Sequence, residues 1–288
     1  MEQSERTDWP SIGKVALGAF CYSTLILFTR LTHGLDAMSI AFFRAFFAFL
    51  LFCLLLPVYR QPLQIGRYRK SIWVLVCAGI AMGVTAALYI YAVQHTTAAN
   101  SALLVNSAPI YIAFIAPWLL KEQRPKYTWL SLALILVGIL LITGVLQSGI
   151  DVRSLEGIFA GVLSGFTYAL TMLFSRLLRG KVSGFTQSFW STGVAALILL
   201  PWMLRTPTAL IRENIFVLIP LGVISLGIAS LLYFVALQKI KAQVVSVVAI
   251  LEPVSGVLLG LLVFNEPLSL PAVIGSLLIL ASIYLISK

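Results

Sequence analysis

The sequence predicts an all-α membrane protein: ten transmembrane helices arranged as two inverted five-helix repeats. Three observations carry that prediction. The 288 residues are 60% hydrophobic and only 10% charged, with a mean hydropathy of +1.01, a composition that no water-soluble domain sustains. A spanning helix needs about 20 consecutive apolar residues, and ten such runs follow one another at roughly 11–33, 36–59, 71–94, 97–120, 127–147, 155–179, 182–204, 214–237, 241–263 and 268–287. Finally, residue pairs recur at constant spacing between the two halves of the chain. The links between runs are short, so nearly the whole chain is placed in or against the bilayer, with no room for a soluble domain.

Taken in order, the elements are justified as follows. Residues Met1–Trp9 are polar and mixed in charge and lack the apolar core and small-residue cleavage site of a secretory signal, so the first span is expected to be retained. Span one carries Gly18, Tyr22, Leu25 and Thr29 on one helical face, and span six carries Ser164, Tyr168, Thr171 and Ser175 at the matching i, i+4, i+7 and i+11 positions. Span two holds Arg44 about eight residues from its start. Span three brings Tyr89, with Gly79 and Gly83 permitting close packing, and span eight has Gly222 and Gly227 in the corresponding place. Span four holds Asn106 one turn before Pro109, and span nine holds Gln243, Ser246, Glu252 and Pro253. Span seven adds Phe189 and Trp190. Spans five and ten lack polar faces and are placed at the periphery, to brace the bundle or a dimer.

The repeat is legible by alignment. Tyr22 and Arg30 stand 146 residues before Tyr168 and Arg176, while Tyr89, Pro109 and Glu122 stand 144 before Tyr233, Pro253 and Glu266. The halves run from about 10 to 148 and from about 153 to 287. Five spans is an odd number, so the second copy enters the membrane from the opposite side. Of the 20 basic residues all but Arg30, Arg44, Arg153, Arg205 and Arg212 fall on the side of the N-terminus. The positive-inside rule therefore places both termini in the cytoplasm, and the formal charge of +10 records topology; no nucleic-acid partner is implied.

The runs Ala99–Ile142 and Val244–Ile286 also resemble the end of an EamA-type repeat of the drug/metabolite transporter superfamily. The pattern is a small-residue helix with a mid-span proline (Pro109, Pro253), an acidic residue at the helix end (Glu122, Glu266), and a closing span with glycine near its end. Two departures stand out. The residue before each acidic one, usually glycine in the family, is Lys121 or Asn265, and Glu252 precedes its proline where the first repeat has Ala108. The resemblance implies export or exchange of small metabolites across the inner membrane by a multi-pass protein, with amino-acid exporters prominent among bacterial members. Inverted-repeat carriers bind substrate near the midplane and rock around it.

Enzyme chemistry finds no support. The histidines, His33 and His95, lie at span ends with no second ligand at metal spacing, and Glu252 has no buried carboxylate partner for acid–base work. Cys21, Cys53 and Cys77 lie within spans and read as apolar fillers. No metal or cofactor is expected. The expected substrate pathway comprises Tyr22, Arg44, Tyr89, Asn106, Ser164, Tyr168, Thr171, Trp190, Ser246 and Glu252, with Pro109 and Pro253 as hinges. Each has a plainer alternative. Glu252 can be a protonated pin between helices, Arg44 can snorkel to the interface, Asn106 can bridge two helices, and small hydroxyl residues serve as close-packing surfaces. With few buried basic groups, an amino acid, neutral or aromatic, suits the lining better than a phosphorylated sugar. Export of drugs or other metabolites is the alternative, and a channel or non-transporting receptor a more distant one.

Overall fold

A computed structural model describes residues 8–59, 69–95, 104–143, 155–264 and 269–286. The expected repeat boundary between 148 and 153 lies outside these residues, as do Asn265, Glu266 and Pro267. The fold is all-α, with ten helical segments among the described residues: α1 Trp9–Arg30, α2 Ala37–Leu55, α3 Ile72–His95, α4 Ala108–Leu119, α5 Thr128–Thr143, α6 Leu155–Leu177, α7 Gly184–Met203, α8 Thr208–Leu237, α9 (Ala242–Ala249 continued by Leu251–Phe264) and α10 Leu270–Ile286. Six of them, α1, α2, α3, α6, α8 and α9, are long and apolar enough to cross a membrane, and α4, α5 and α10 are shorter apolar helices.

Local chemistry sets the boundaries. Asp8 caps α1 by accepting from the Ser11 hydroxyl at 2.7 Å and from the Ser11 amide at 3.3 Å, an arrangement that holds the Asp8 carboxyl below its ordinary range. Asp36 and Ser183 cap α2 and α7 through the amides of Ser39 and Thr186. Helix α8 starts at Thr208, six residues before the apolar run, since Arg212, Glu213 and Asn214 continue the helix into the polar zone. There Asn214 clips the α1–α2 link. Its side chain accepts from His33 N at 2.9 Å and donates to His33 O at 3.0 Å.

The largest helix contacts follow one rule. Helix α3 lies along α6 as α8 lies along α1; α7 packs on α3 as α2 packs on α8; α4 meets α6 as α9 meets α1. The pairs α2 with α7, α4 with α9 and α5 with α10 complete the set. Exchanging each helix for the one five places along leaves this pattern unchanged. The closest approaches obey it too. A methyl group on Gly79 would lie 3.1 Å from Ser191 O, one on Gly222 2.9 Å from Arg44 O, and Gly138 and Gly275 face each other's carbonyls.

The helices α4 and α9 are broken. A turn at Asn106 and Ser107 precedes α4, and Ile250, with ψ −2, interrupts α9. Pro109 and Pro253 stand in the first turn of the segment that follows each break, not at the bend itself. That displacement has a physical cause. A proline ring clashes with the carbonyl four residues back and offers it no N–H, so a continuous helix is interrupted ahead of it, whereas the missing N–H costs nothing in the first turn of a new segment.

Candidate functional site

The broken helices face a central cavity. Its wall comes from α1 to α3, the turn before α4, and α6 to α9, with no contribution from α5 or α10 among the described residues. Most of the wall is apolar. Ala41, Ala45, Met82, Ala86, Met172, Ala195, Leu199 and Leu226 supply an adaptable surface.

Two charges interrupt that surface. Arg44 of α2 and Glu252, in the first turn of the second segment of α9, both line the cavity, and no ion pair joins them among the described residues. Arg44 is 8% exposed; its Nε donates to Ser225 Oγ at 3.0 Å and its Nη2 to the Ser225 carbonyl at 2.6 Å. No partner for its Nη1 occurs among the described residues. Glu252 likewise has no hydrogen bond there. A buried charge is tolerated when it is paired or faces a wet cavity, so these two groups sit where an incoming ligand can complete them.

Tyrosines fill the space around the charges. Tyr22, Tyr89, Tyr168 and Tyr233 all line the cavity. The Tyr22 and Tyr233 rings meet edge to face at 5.0 Å, and the Arg44 guanidinium carbon sits 5.6 Å from the Tyr22 ring centre. The Tyr233 hydroxyl is buried beside the Tyr168 side chain. Thr85 adds a hydroxyl 2.8 Å from that of Thr167, and Thr171 bonds back to Thr167 O at 3.1 Å.

Of the residues expected from the sequence, Tyr22, Arg44, Tyr89, Asn106, Tyr168, Thr171 and Glu252 therefore share one cavity. Three others are placed elsewhere. Ser164 is buried and donates to Gly161 O at 2.7 Å; Ser246 is buried and donates to Gln243 O at 2.9 Å. Trp190 packs edge-on to Phe189 among Leu75, Leu178 and Val182. The lining residues Ser225's neighbour Leu226, Tyr233 and Thr85 were not among those expected. Tyr233 was in view as the repeat counterpart of Tyr89, and that pairing was the available signal; for Thr85 there was none.

One end of the cavity is latched. Leu237 lines the cavity, and its carbonyl accepts from Arg176 Nη1 at 2.9 Å. Arg176 Nε is paired with Glu122 Oε1, and Glu122 Oε2 accepts from Ala242 N at 3.4 Å. The latch thus ties α6 and the segment after α4 to the junction between α8 and α9.

The sequence pattern that defines the EamA-like transporter family matches residues 9–144 and again 155–288. The chain belongs to this family. An uncharacterized transporter of Archaeoglobus fulgidus is 30% identical over 93% of both chains. The uncharacterized transporter YoaV of Bacillus subtilis is 23% identical over 88% of both, and the uncharacterized inner membrane transporter YicL of Salmonella typhimurium is 27% identical over 78% of this chain and 76% of its own. A crystal structure with 17% sequence identity superposes with a TM-score of 0.81 over 96% of both chains, a likeness of fold. The protein is thus a multi-pass membrane protein and a secondary transporter of the EamA and drug/metabolite transporter group, not an enzyme. The cavity is its candidate substrate site.

Proposed function

We propose that this EamA-like transporter exports amino acids, neutral and aromatic and with broad tolerance, across the cytoplasmic membrane. One observation carries the reading: an arginine with unused donors and a carboxylate without partners face the same apolar, tyrosine-lined cavity. A zwitterion satisfies both, with its carboxylate on Arg44 and its ammonium group on Glu252. Cation–π contact with the tyrosines adds to the second interaction. The side chain then rests against Met82, Met172 and the alanines, which set little shape requirement. Tyr22, Tyr89, Asn106, Tyr168 and Thr171 complete the pathway in this reading.

The mechanism that goes with it is alternating access. Two inverted five-helix repeats, about 10–148 and 153–287, rock about the cavity, with the breaks before Pro109 and Pro253 as hinges and both termini in the cytoplasm. The exchange symmetry of helix packing supports the repeat, and discontinuous helices at a midplane site suit such carriers. The pair α5 and α10 stands apart from the cavity and is available to brace the bundle or a homodimer within the lipid.

Proteoliposomes test the proposal. Saturable uptake of labelled phenylalanine and leucine, accelerated by the same amino acid inside, is expected; flux that does not saturate, or none, overturns it. The largely apolar lining, with Met82 and Met172, also fits apolar cargo, so a drug exporter is the second reading. It is favoured instead if lipophilic compounds without a carboxylate are carried and amino acids are not.

A further inference from the structure

Among the described residues, the hydrogen bonds of the Arg44 guanidinium go to one residue, Ser225, which sits where α8 leaves α-helical geometry. Residues Val223–Ile228 form a π-turn, a feature that adds a residue to the helical circuit and concentrates at functional sites. In an α-helix the amide of Ala229 bonds the carbonyl of Ser225; here it donates to Leu226 O. The Ser225 carbonyl accepts from Arg44 Nη2 at 2.6 Å, while Ser225 Oγ accepts from Nε at 3.0 Å and its hydroxyl donates to Leu221 O. Two contacts on adjacent nitrogens fix the plane of a guanidinium, not just its position.

The repeat shows that packing does not require this arrangement. Where α7 meets α3 the same close approach is made, Gly79 on Ser191 O in place of Gly222 on Arg44 O. In that copy Ser191 takes the place of Arg44, Ala81 stands 144 residues before Ser225, and α3 is α-helical from Ile72 to His95. The arginine, the serine and the π-turn therefore occur together in one copy only, and there they border the cavity.

We infer that Ser225 is a positioning residue. Through its hydroxyl and its carbonyl in the π-turn it orients Arg44 so that the unused Nη1 edge meets a substrate carboxylate. The inference rests on the reading of Arg44 as the carboxylate receiver, and it assigns carboxylate selectivity to the α2–α8 contact.

The test compares Ser225→Ala, Ser225→Thr and Arg44→Gln in proteoliposomes, measuring phenylalanine uptake and its inhibition by phenethylamine, which lacks the carboxylate. Ser225→Ala is expected to raise the KM for phenylalanine about tenfold, the worth of one hydrogen bond to a charged group. The maximal rate and the inhibition by phenethylamine stay within twofold, and Ser225→Thr restores the KM. If Arg44→Gln raises the KM but Ser225→Ala does not, the positioning role is overturned and the site reading stands. If Ser225→Ala weakens phenylalanine and phenethylamine alike, the role is structural and the inference is likewise overturned. If Arg44→Gln leaves the KM unchanged, the reading of Arg44 itself fails.

Discussion

At the scale of single residues, Glu252 and Arg44 do different work in the proposed cycle, and their variants separate it. Glu252 is the carboxylate among the described residues that line the cavity. Glu252→Gln keeps the shape and removes the charge. If Glu252 couples transport to protons, this variant loses uptake driven by an imposed pH gradient and retains counterflow; unchanged dependence on the gradient refutes coupling through Glu252. Substitution of Ser164 makes the opposite case. Its hydroxyl bonds within its own helix at Gly161 O, so Ser164→Ala is expected to change the KM less than twofold, as measured beside Thr171→Val, whose side chain lines the cavity. The residues legible from sequence were those whose polarity is anomalous in an apolar run, such as Arg44, Glu252 and Tyr168. Ser225 was not legible. Serine is commonplace in membrane helices, and only the π-turn and the arrival of Arg44 from 181 positions earlier give it a partner. The faces of Trp190 and Ser246 were hidden for a related reason: in helices buried on several sides, polarity alone does not select the side that meets the cavity.

At the scale of elements, helix contacts decide how far the cavity can change shape. Gly222 lets α8 reach the backbone of α2 at the turn that carries Arg44, and a methyl group there would stand 2.5 Å from Phe47 Cβ. Gly222→Ala therefore forces α2 and α8 apart. Taken alone, the exchange favours helix by about 1 kcal/mol, so the intrinsic gain and the packing loss oppose each other, and the packing loss prevails in a close-packed contact. Lowered thermal stability in detergent and a raised KM are expected. Gly13→Ala is the control: nothing lies within 4 Å of its added methyl, so stability is kept or slightly raised. The prolines show how an element can be read correctly in place and differently in detail. Pro109 and Pro253 marked the interrupted helices, but the interruption falls two or three residues earlier, at Ser107 and Ile250. The residues directly before the prolines, Ala108 and Glu252, are helical, so it is the ring's clash with the carbonyl four residues back, together with the missing donor, that interrupts the helix ahead of each proline.

At the scale of the whole molecule, symmetry in the packing is set against asymmetry in the charge. The largest helix contacts keep their pattern when the helices exchange five by five, yet Arg44 has only Ser191 as its counterpart and Glu252 only Ala108. A symmetric scaffold can present two similar end states, and an asymmetric lining gives the substrate one orientation in both. The latch of Arg176, Glu122, Leu237 O and Ala242 N joins α6 and the segment after α4 to the α8–α9 junction at one end of the cavity, so the rocking of the proposed cycle would have to break it. A buried ion pair that loses one partner leaves an uncompensated charge worth about 3–5 kcal/mol, whereas replacing both by apolar residues is often neutral. Arg176→Met combined with Glu122→Leu is therefore expected to remain folded, with a thermal midpoint near that of the parent, while either single variant is less stable. If the latch holds the cavity shut on the cytoplasmic side, the double variant exposes that end. In a background without Cys21, Cys53 and Cys77, a cysteine placed at Leu237 should react faster with a charged thiol reagent added from the cytoplasmic face, and slower from the other. Equal rates in the double variant and its parent would show that the ion pair only braces the bundle and that closure lies with the broken helices.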